Sequence, residues 1–163
     1  MSVKLHKASV QDIPAIFSLA FEIWNKHYVE MIGQEQVDYM LAKMYSEQSL
    51  TEQMQEKNHT FYLVKNDGVD IGFISISSDN AKNFQLHKFY ILNTLQNKGL
   101  GTEVFRLIFN EMNDPNTVQL TVNRQNYKSV NFYFKNSFKI IEVADFEIGN
   151  NYYMNDFVMM WKK

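Results

Sequence analysis

The apolar residues of this chain change period at Thr60. Before it they recur at helical spacing and after it mostly at every second position, so helices come first along the chain and a sheet follows. In the first part Ile13, Ile16, Phe17, Ala20, Phe21 and Trp24 fall at i, i+3, i+4, i+7, i+8 and i+11, one face of a helix, and that face is expected in the core. Ser9 and Asp12 form an S-x-x-D start signal ahead of it. Val37, Met40, Leu41 and Met44 carry a second helix, and Leu50 and Met54 a short third. Val3 and Leu5, alternating with Lys4 and His6, open the chain as a short strand.

Beyond Thr60, Phe61 to Val64 and Val69 to Ser77 read as strands joined by an Asp67-Gly68 hairpin turn. Period 2 puts Ile71, Phe73, Ser75 and Ser77 on one face of the second strand, with Gly72, Ile74 and Ile76 on the other. Phe84 to Leu92 is a further strand. Gly99 to Met112 is a helix, ended at Asp114-Pro115 because the residue before proline is pushed out of the helical region. Val118, Leu120 and Val122 alternate as a strand, Lys128 to Lys135 is a short helix, and Lys139 to Val143 and Phe157 to Trp161 are closing strands. The order implies an α/β (α+β) fold with a central mixed sheet and helices on both faces. No repeat or Pro/Gly-rich linker interrupts it, so residues 1–163 are expected to be a single domain.

Bulk properties narrow the function. The absence of cysteine excludes a thiolate nucleophile, a disulfide framework and a Cys-bearing metal site, and no metal is expected. A formal charge of -2 offers no basic footprint for nucleic acid. No run approaches the ~18 apolar residues of a membrane span, and the first nine residues lack the apolar core of an export signal. A cytoplasmic protein acting on a small molecule is the expectation.

The most informative stretch runs from Leu86 to Thr102, a strand leading through a polar turn with Gly99 and Gly101 into a helix. Such a turn leaves the first helical N–H groups unpaired at the positive end of the helix dipole, an arrangement that can hold a pyrophosphate. A dinucleotide-binding reading fails, because the third glycine position is Val104 and an antiparallel meander precedes the turn.

Gln96-Asn97-Lys98-Gly99-Leu100-Gly101 resembles the Q/R-x-x-G-x-G/A signature of the GNAT superfamily of N-acetyltransferases. Asn126 to Phe138 resembles that family's N-x-x-[SA]-x-x-F-Y-x-x-x-G-F segment, with Ser137 where glycine is usual. The resemblance spans essentially the whole chain. It implies a GNAT-like, mostly antiparallel twisted sheet and an acyltransferase that moves an acetyl group from acetyl-CoA to a primary amine. It further implies that backbone groups around Phe89, Tyr90 and Ile91 pair with the pantetheine arm, and that Gln96, Asn97, Lys98, Gly99, Leu100, Gly101 and Thr102 hold the pyrophosphate. Asn126 and Ser129 would contact the cofactor, and Tyr133 would protonate the departing thiolate. Dimers are frequent in the resembled family.

The amine must shed a proton to expose its lone pair. Period 2 places Gln85, His87, Phe89 and Ile91 on one side of their strand, and the resembled enzymes often carry a glutamate at one of the first two positions. His87 can serve as the base near neutral pH, or be a hydrogen-bonded structural histidine. Trp24, His27, Tyr28, Glu30 and Tyr39 form an aromatic and polar cluster suited to an alkylammonium, with core packing the alternative for Trp24. The wording of this region is similar to the bacterial spermidine and spermine N-acetyltransferases. The segment Asp145 to Asp156 suits a polyamine, or is a solvated hairpin. Acceptors left open are a polyamine such as spermidine, a protein N-terminus, an amino acid or an aminoglycoside; a non-catalytic acetyl-CoA-binding module is the alternative of another class.

Overall fold

The computed structural model describes residues 2–92 and 99–163. Strand β1 (Val3–Lys7) leads through a single 3-10 turn into α1 (Ile13–His27), α2 (Val29–Ile32), α3 (Gln34–Met44) and α4 (Glu47–Gln55). Three strands follow, β2 (Thr60–Asn66), β3 (Val69–Ser78) and β4 (Asn83–Ile91). Then come α5 (Leu100–Met112), β5 (Thr117–Asn123), α6 (Tyr127–Lys135), β6 (Lys139–Gly149) and β7 (Tyr152–Lys162). The sheet order is β1-β2-β3-β4-β5-β7-β6, antiparallel throughout except for the parallel pair β4–β5. No helix of the described residues is long and apolar enough to cross a membrane.

The helix start read at Ser9 is a capping box: Ser9 N–H donates to the Asp12 carboxylate at 2.9 Å while the Ser9 side chain accepts from the backbone in return. The buried face of α1 differs from expectation. It is Ile13, Ile16, Leu19, Ala20, Ile23 and Trp24, whereas Phe17 and Phe21 are 41% and 53% exposed. Helical periodicity is satisfied by either of two overlapping stripes, and docking on the sheet selects the one that carries Leu19 and Ile23.

Two apolar layers flank the sheet. One joins Tyr62, Val64, Leu86 and Ile91 to α5 and α6 through Val104, Ile108 and Val130; the other joins Phe61, Leu63 and Phe73 to α1, α3 and α4. Two bulges break the strict alternation. Ile71 stands in the first and packs with Ile74 and Ile76, not with Phe73 as period 2 required. The second lies at His87, between the pairs Ile76↔Leu86 and Ser75↔Lys88. Leu86, Phe89 and Ile91 therefore share one layer, and the expected single side for Gln85, His87, Phe89 and Ile91 does not form.

The closing strands run well past the expected Lys139–Val143 and Phe157–Trp161, meeting at Asn150-Asn151. Both asparagines are left-handed, φ 54° and 60°, the backbone of a tight primed hairpin turn. The hairpin tip rests on α3, where the Tyr39 hydroxyl donates to the Ile148 carbonyl at 2.8 Å and Gln36 Nε2 to the Tyr153 carbonyl at 2.8 Å.

Candidate active site

β4 and β5 pair only at Asn83–Gln85 against Thr117–Gln119 and then separate. Into the gap opens a cavity of ≈ 460 Å³, walled by residues 86–91 of β4, 120–123 of β5, the C-terminal end of α1, α3, α4, Asn126, Ser129, Tyr133, Met154 and Asp156. A smaller cleft of ≈ 110 Å³ continues along α6 to Gly101. His27, Phe89, Ile91, Ser129 and Tyr133 line both spaces.

On the cleft side, Gly99 caps α5 in the left-handed conformation, φ 69°, with no side-chain cap. Gly99 brings no side chain to the first-turn amides of α5, which helix geometry leaves without intrahelical acceptors. A Cβ added to Gly101 would meet the Phe132 ring at 3.6 Å, so a larger side chain there would occupy the cleft. This arrangement suits a phosphate-bearing arm laid along the splayed strands. Leu100 is buried in the core and Thr102 is exposed. Gln96, Asn97 and Lys98 lie outside the described residues.

Tyr133 is 8% exposed, and burial raises its pKa, so at neutral pH it is a protonated donor. Asn126 caps α6 by accepting from Ser129 N–H at 3.3 Å, and donates from Nδ2 to the Tyr28 hydroxyl at 3.3 Å. Burial pushes Tyr28 up to about 12. Trp24 stacks on Tyr28 with ring centroids 4.4 Å apart, and Tyr90 meets both rings, forming an aromatic wall. Burial pulls the pKa of His27 down.

The end of the cavity beneath α4 is basic. His87 stacks on His59, centroids 3.8 Å apart, and its Nε2 lies 2.7 Å from Ser77 Oγ. Desolvation, followed by Lys88 and Lys57, lowers His59 to about 4, and desolvation, followed by His59 and Lys88, lowers His87 to about 4, so both imidazoles are neutral at pH 7. Lys88, 6% exposed, donates to Gln53 Oε1 at 2.7 Å over the Tyr45 and Phe61 rings. Burial and then Lys57 bring its pKa down to about 8. Across the cavity Asp156 is 1% exposed, and neither carboxylate oxygen has a hydrogen-bond partner.

Of the acceptor-site residues read from sequence, Trp24, His27, Tyr28 and His87 reach the cavity wall. Glu30 on α2, Tyr39 and the exposed Gln85 are outside the lining; Tyr39 packs on Tyr152 and holds the hairpin. Sequence reading missed Lys88, Gln53, His59 and the individual importance of Asp156. A signal existed for Asp156, the polar member of the inward series Met154, Asp156, Val158. None marked Lys88, which alternation sets on the face of Tyr90 without showing that its charge is buried there.

Comparison with known proteins agrees with this geometry. The family described as Acetyltransferase (GNAT) domain matches residues 28–150. The spermidine N(1)-acetyltransferase of Thermoplasma acidophilum is 24% identical over 160 residues, 93% of this chain and 99% of the relative. The α-tubulin N-acetyltransferase of Plasmodium falciparum is 32% identical over 143 residues, 75% of this chain and 77% of the relative. The crystal structure of the PaiA N-acetyltransferase from Thermoplasma acidophilum in complex with coenzyme A superposes with TM-score 0.81 at 25% identity, covering 100% of both chains. With the splayed strands, the uncapped α5 and the match over most of its length, this chain belongs to the GNAT family of N-acetyltransferases, enzymes that take their acetyl group from acetyl-CoA.

Proposed function

We propose that the enzyme acetylates a primary amine of a small polyamine such as spermidine, by direct attack of the amine on acetyl-CoA with Tyr133 as general acid. The observation that carries the reading is the position of Tyr133, which lines both the cleft running to α5 and the larger cavity. A thioester lying along β4 would bring its sulfur to the one place where cofactor and acceptor spaces join. Backbone groups of Phe89, Tyr90 and Ile91 would align the pantetheine arm, residues 99–102 would hold its phosphates, and Asn126 and Ser129 would frame the approach. The ammonium first releases a proton to water; the neutral amine nitrogen then bonds to the thioester carbonyl carbon, the C–S bond breaks as the Tyr133 hydroxyl gives its proton to the leaving sulfur, and the proton shed by the new amide nitrogen returns to Tyr133 through water. The high pKa of that phenol makes it a hydrogen-bond donor to the developing thiolate. His87, neutral and bonded to Ser77, is a weak base whose ring shapes the acceptor end.

The polyamine is favoured by the spermidine N(1)-acetyltransferase relative and by the aromatic wall, whose ring faces suit an alkylammonium. A second reading rests on Lys88. Among the described residues no carboxylate forms an ion pair with this buried ammonium, which would receive the acid group of an amino-acid acceptor. Coenzyme A thiol release with spermidine, amino acids, an aminoglycoside and a peptide N-terminus decides. Fastest turnover of spermidine is expected. Turnover of the peptide alone would discard the polyamine, and no turnover of any amine would discard the acceptor class.

A further inference from the structure

We infer that Asp156 is the anionic contact for the reactive ammonium of the acceptor. The inference rests on the amine-acetylation reading above and assigns to that site a residue that neither motif contains. β7 pairs Asp156 with Asn123 of β5 and with Ala144 of β6, so the residue stands on an interior strand, flanked on both sides. Its neighbours Phe157 and Met159 pack into the α5–α6 layer and Met154 against the opposite one, which turns Asp156 toward the cavity below α1.

A carboxylate in that position, 1% exposed, calls for strong donors or a cation; the Thr121 hydroxyl is near enough to favour its charge, yet neither oxygen receives a well-formed hydrogen bond or an ion pair. The cation that acts on it, the Arg124 guanidinium, does not neutralise it. Arg124 is committed elsewhere, with Nη2 donating to the Asp145 carboxylate at 2.8 Å and Nη1 to the Ala144 and Asp156 carbonyls. Burial raises the Asp156 pKa to about 6, against smaller opposing effects of the Thr121 hydroxyl and the Arg124 guanidinium, so at neutral pH the group is mostly ionised and still unpaired.

The surroundings match an ammonium. Tyr28, Tyr133 and Asp156 line the same cavity, and the Asp156 charge adds to burial in disfavouring ionisation of the Tyr28 phenol. Trp24, stacked on Tyr28, and Tyr90 add ring faces on the same wall. An R–NH3+ group bound to Asp156 would meet an anion, the Tyr28 hydroxyl and aromatic faces. A neutral alcohol or a carboxylate would leave the Asp156 charge unanswered.

The test is binding, read apart from turnover. Spermidine and propylamine are titrated calorimetrically into the coenzyme A-bound wild type and the Asp156→Asn variant, alongside thermal unfolding of both without amine and a coenzyme A titration as the control for an intact cofactor site. Wild type should bind, and the variant should bind at least about tenfold more weakly while keeping its coenzyme A affinity. Without amine the variant should melt higher, because a neutral isostere replaces an unpaired buried charge. Equal amine affinity in both proteins would overturn the inference, and so would a lower melting temperature or loss of folding, since the carboxylate would then be structural. Acetylation of an amine whose affinity ignores the substitution would sink this inference alone. Asp156-dependent amine binding with no thiol release would sink the acetylation reading alone, and a wild type that binds no amine would sink both.

Discussion

Asn126 donates from its side-chain amide to the Tyr28 hydroxyl at 3.3 Å, tying the N-cap of α6 to the C-cap of α1 across 98 positions of sequence. The same asparagine caps α6 through its carbonyl, so the helix that carries Tyr133 begins from a point anchored on the acceptor side. Tyr133 thereby faces the cavity from a fixed position two turns further on. Its role in chemistry and its role in packing are separable for that reason.

Tyr133→Phe keeps the ring against Phe132 and Phe138 and removes only the hydroxyl. General-acid contributions run to ~10²–10⁴-fold, and the raised pKa of this phenol places the expected fall in kcat near the lower end, about 10²-fold. The Kd for acetyl-CoA should change little. Steady-state kinetics with a cofactor titration checks both halves, and an unchanged kcat would make Tyr133 a packing residue.

Acetyl-CoA should raise the unfolding temperature, since it binds only the folded cleft. At a hundredfold excess over its Kd the gain is about 2.7 kcal/mol. Gly101→Glu should abolish that shift by filling the cleft beside Phe132 and setting a negative charge where phosphates are expected. Thermal melts with and without the cofactor report it, and a full shift in the variant would move the phosphate site elsewhere.

Lys88→Met separates the two acceptor readings. If Lys88 receives an acid group, turnover of amino acids should fall about tenfold or more while spermidine is unaffected or improved. The substitution also carries a pH signature. The folded pKa of about 8 lies below the unfolded value of 10.5, so between these values the unfolded chain binds more protons and stability gains from this group as pH rises. That gain should vanish from the melting curves of the variant, and parallel curves would show that Lys88 titrates normally.

Ser137→Gly should stabilise the protein. Ser137 holds φ 70°, a left-handed backbone that costs an L-residue ~1–2 kcal/mol, while its exposed side chain packs on nothing that would be lost. Glycine relieves most of that cost against a smaller entropic loss, for a net gain of up to about 1 kcal/mol. Chemical denaturation measures it, and a destabilised variant would mean that the serine side chain supports the turn.

Local chemistry was legible without coordinates. Spacing and capping placed the helices, Asp67-Gly68 placed a hairpin, and the segments around Gly99 to Gly101 and Asn126 to Phe138 identified the family, because each signal lies within one element and its flanking turn. What depends on pairing between distant elements was not legible. The bulges opposite Ser75 and Val64 shift which residues share a face, so Ile71, Leu86 and His87 could not be oriented by counting in twos. Whether Phe17 or Ile23 is buried depends on how α1 meets the sheet. Asp156 reads as one acidic residue in a polar hairpin until β5 and β6 enclose it. A buried charge is defined by the partners it lacks, and those are decided only when strands far apart in sequence close around it.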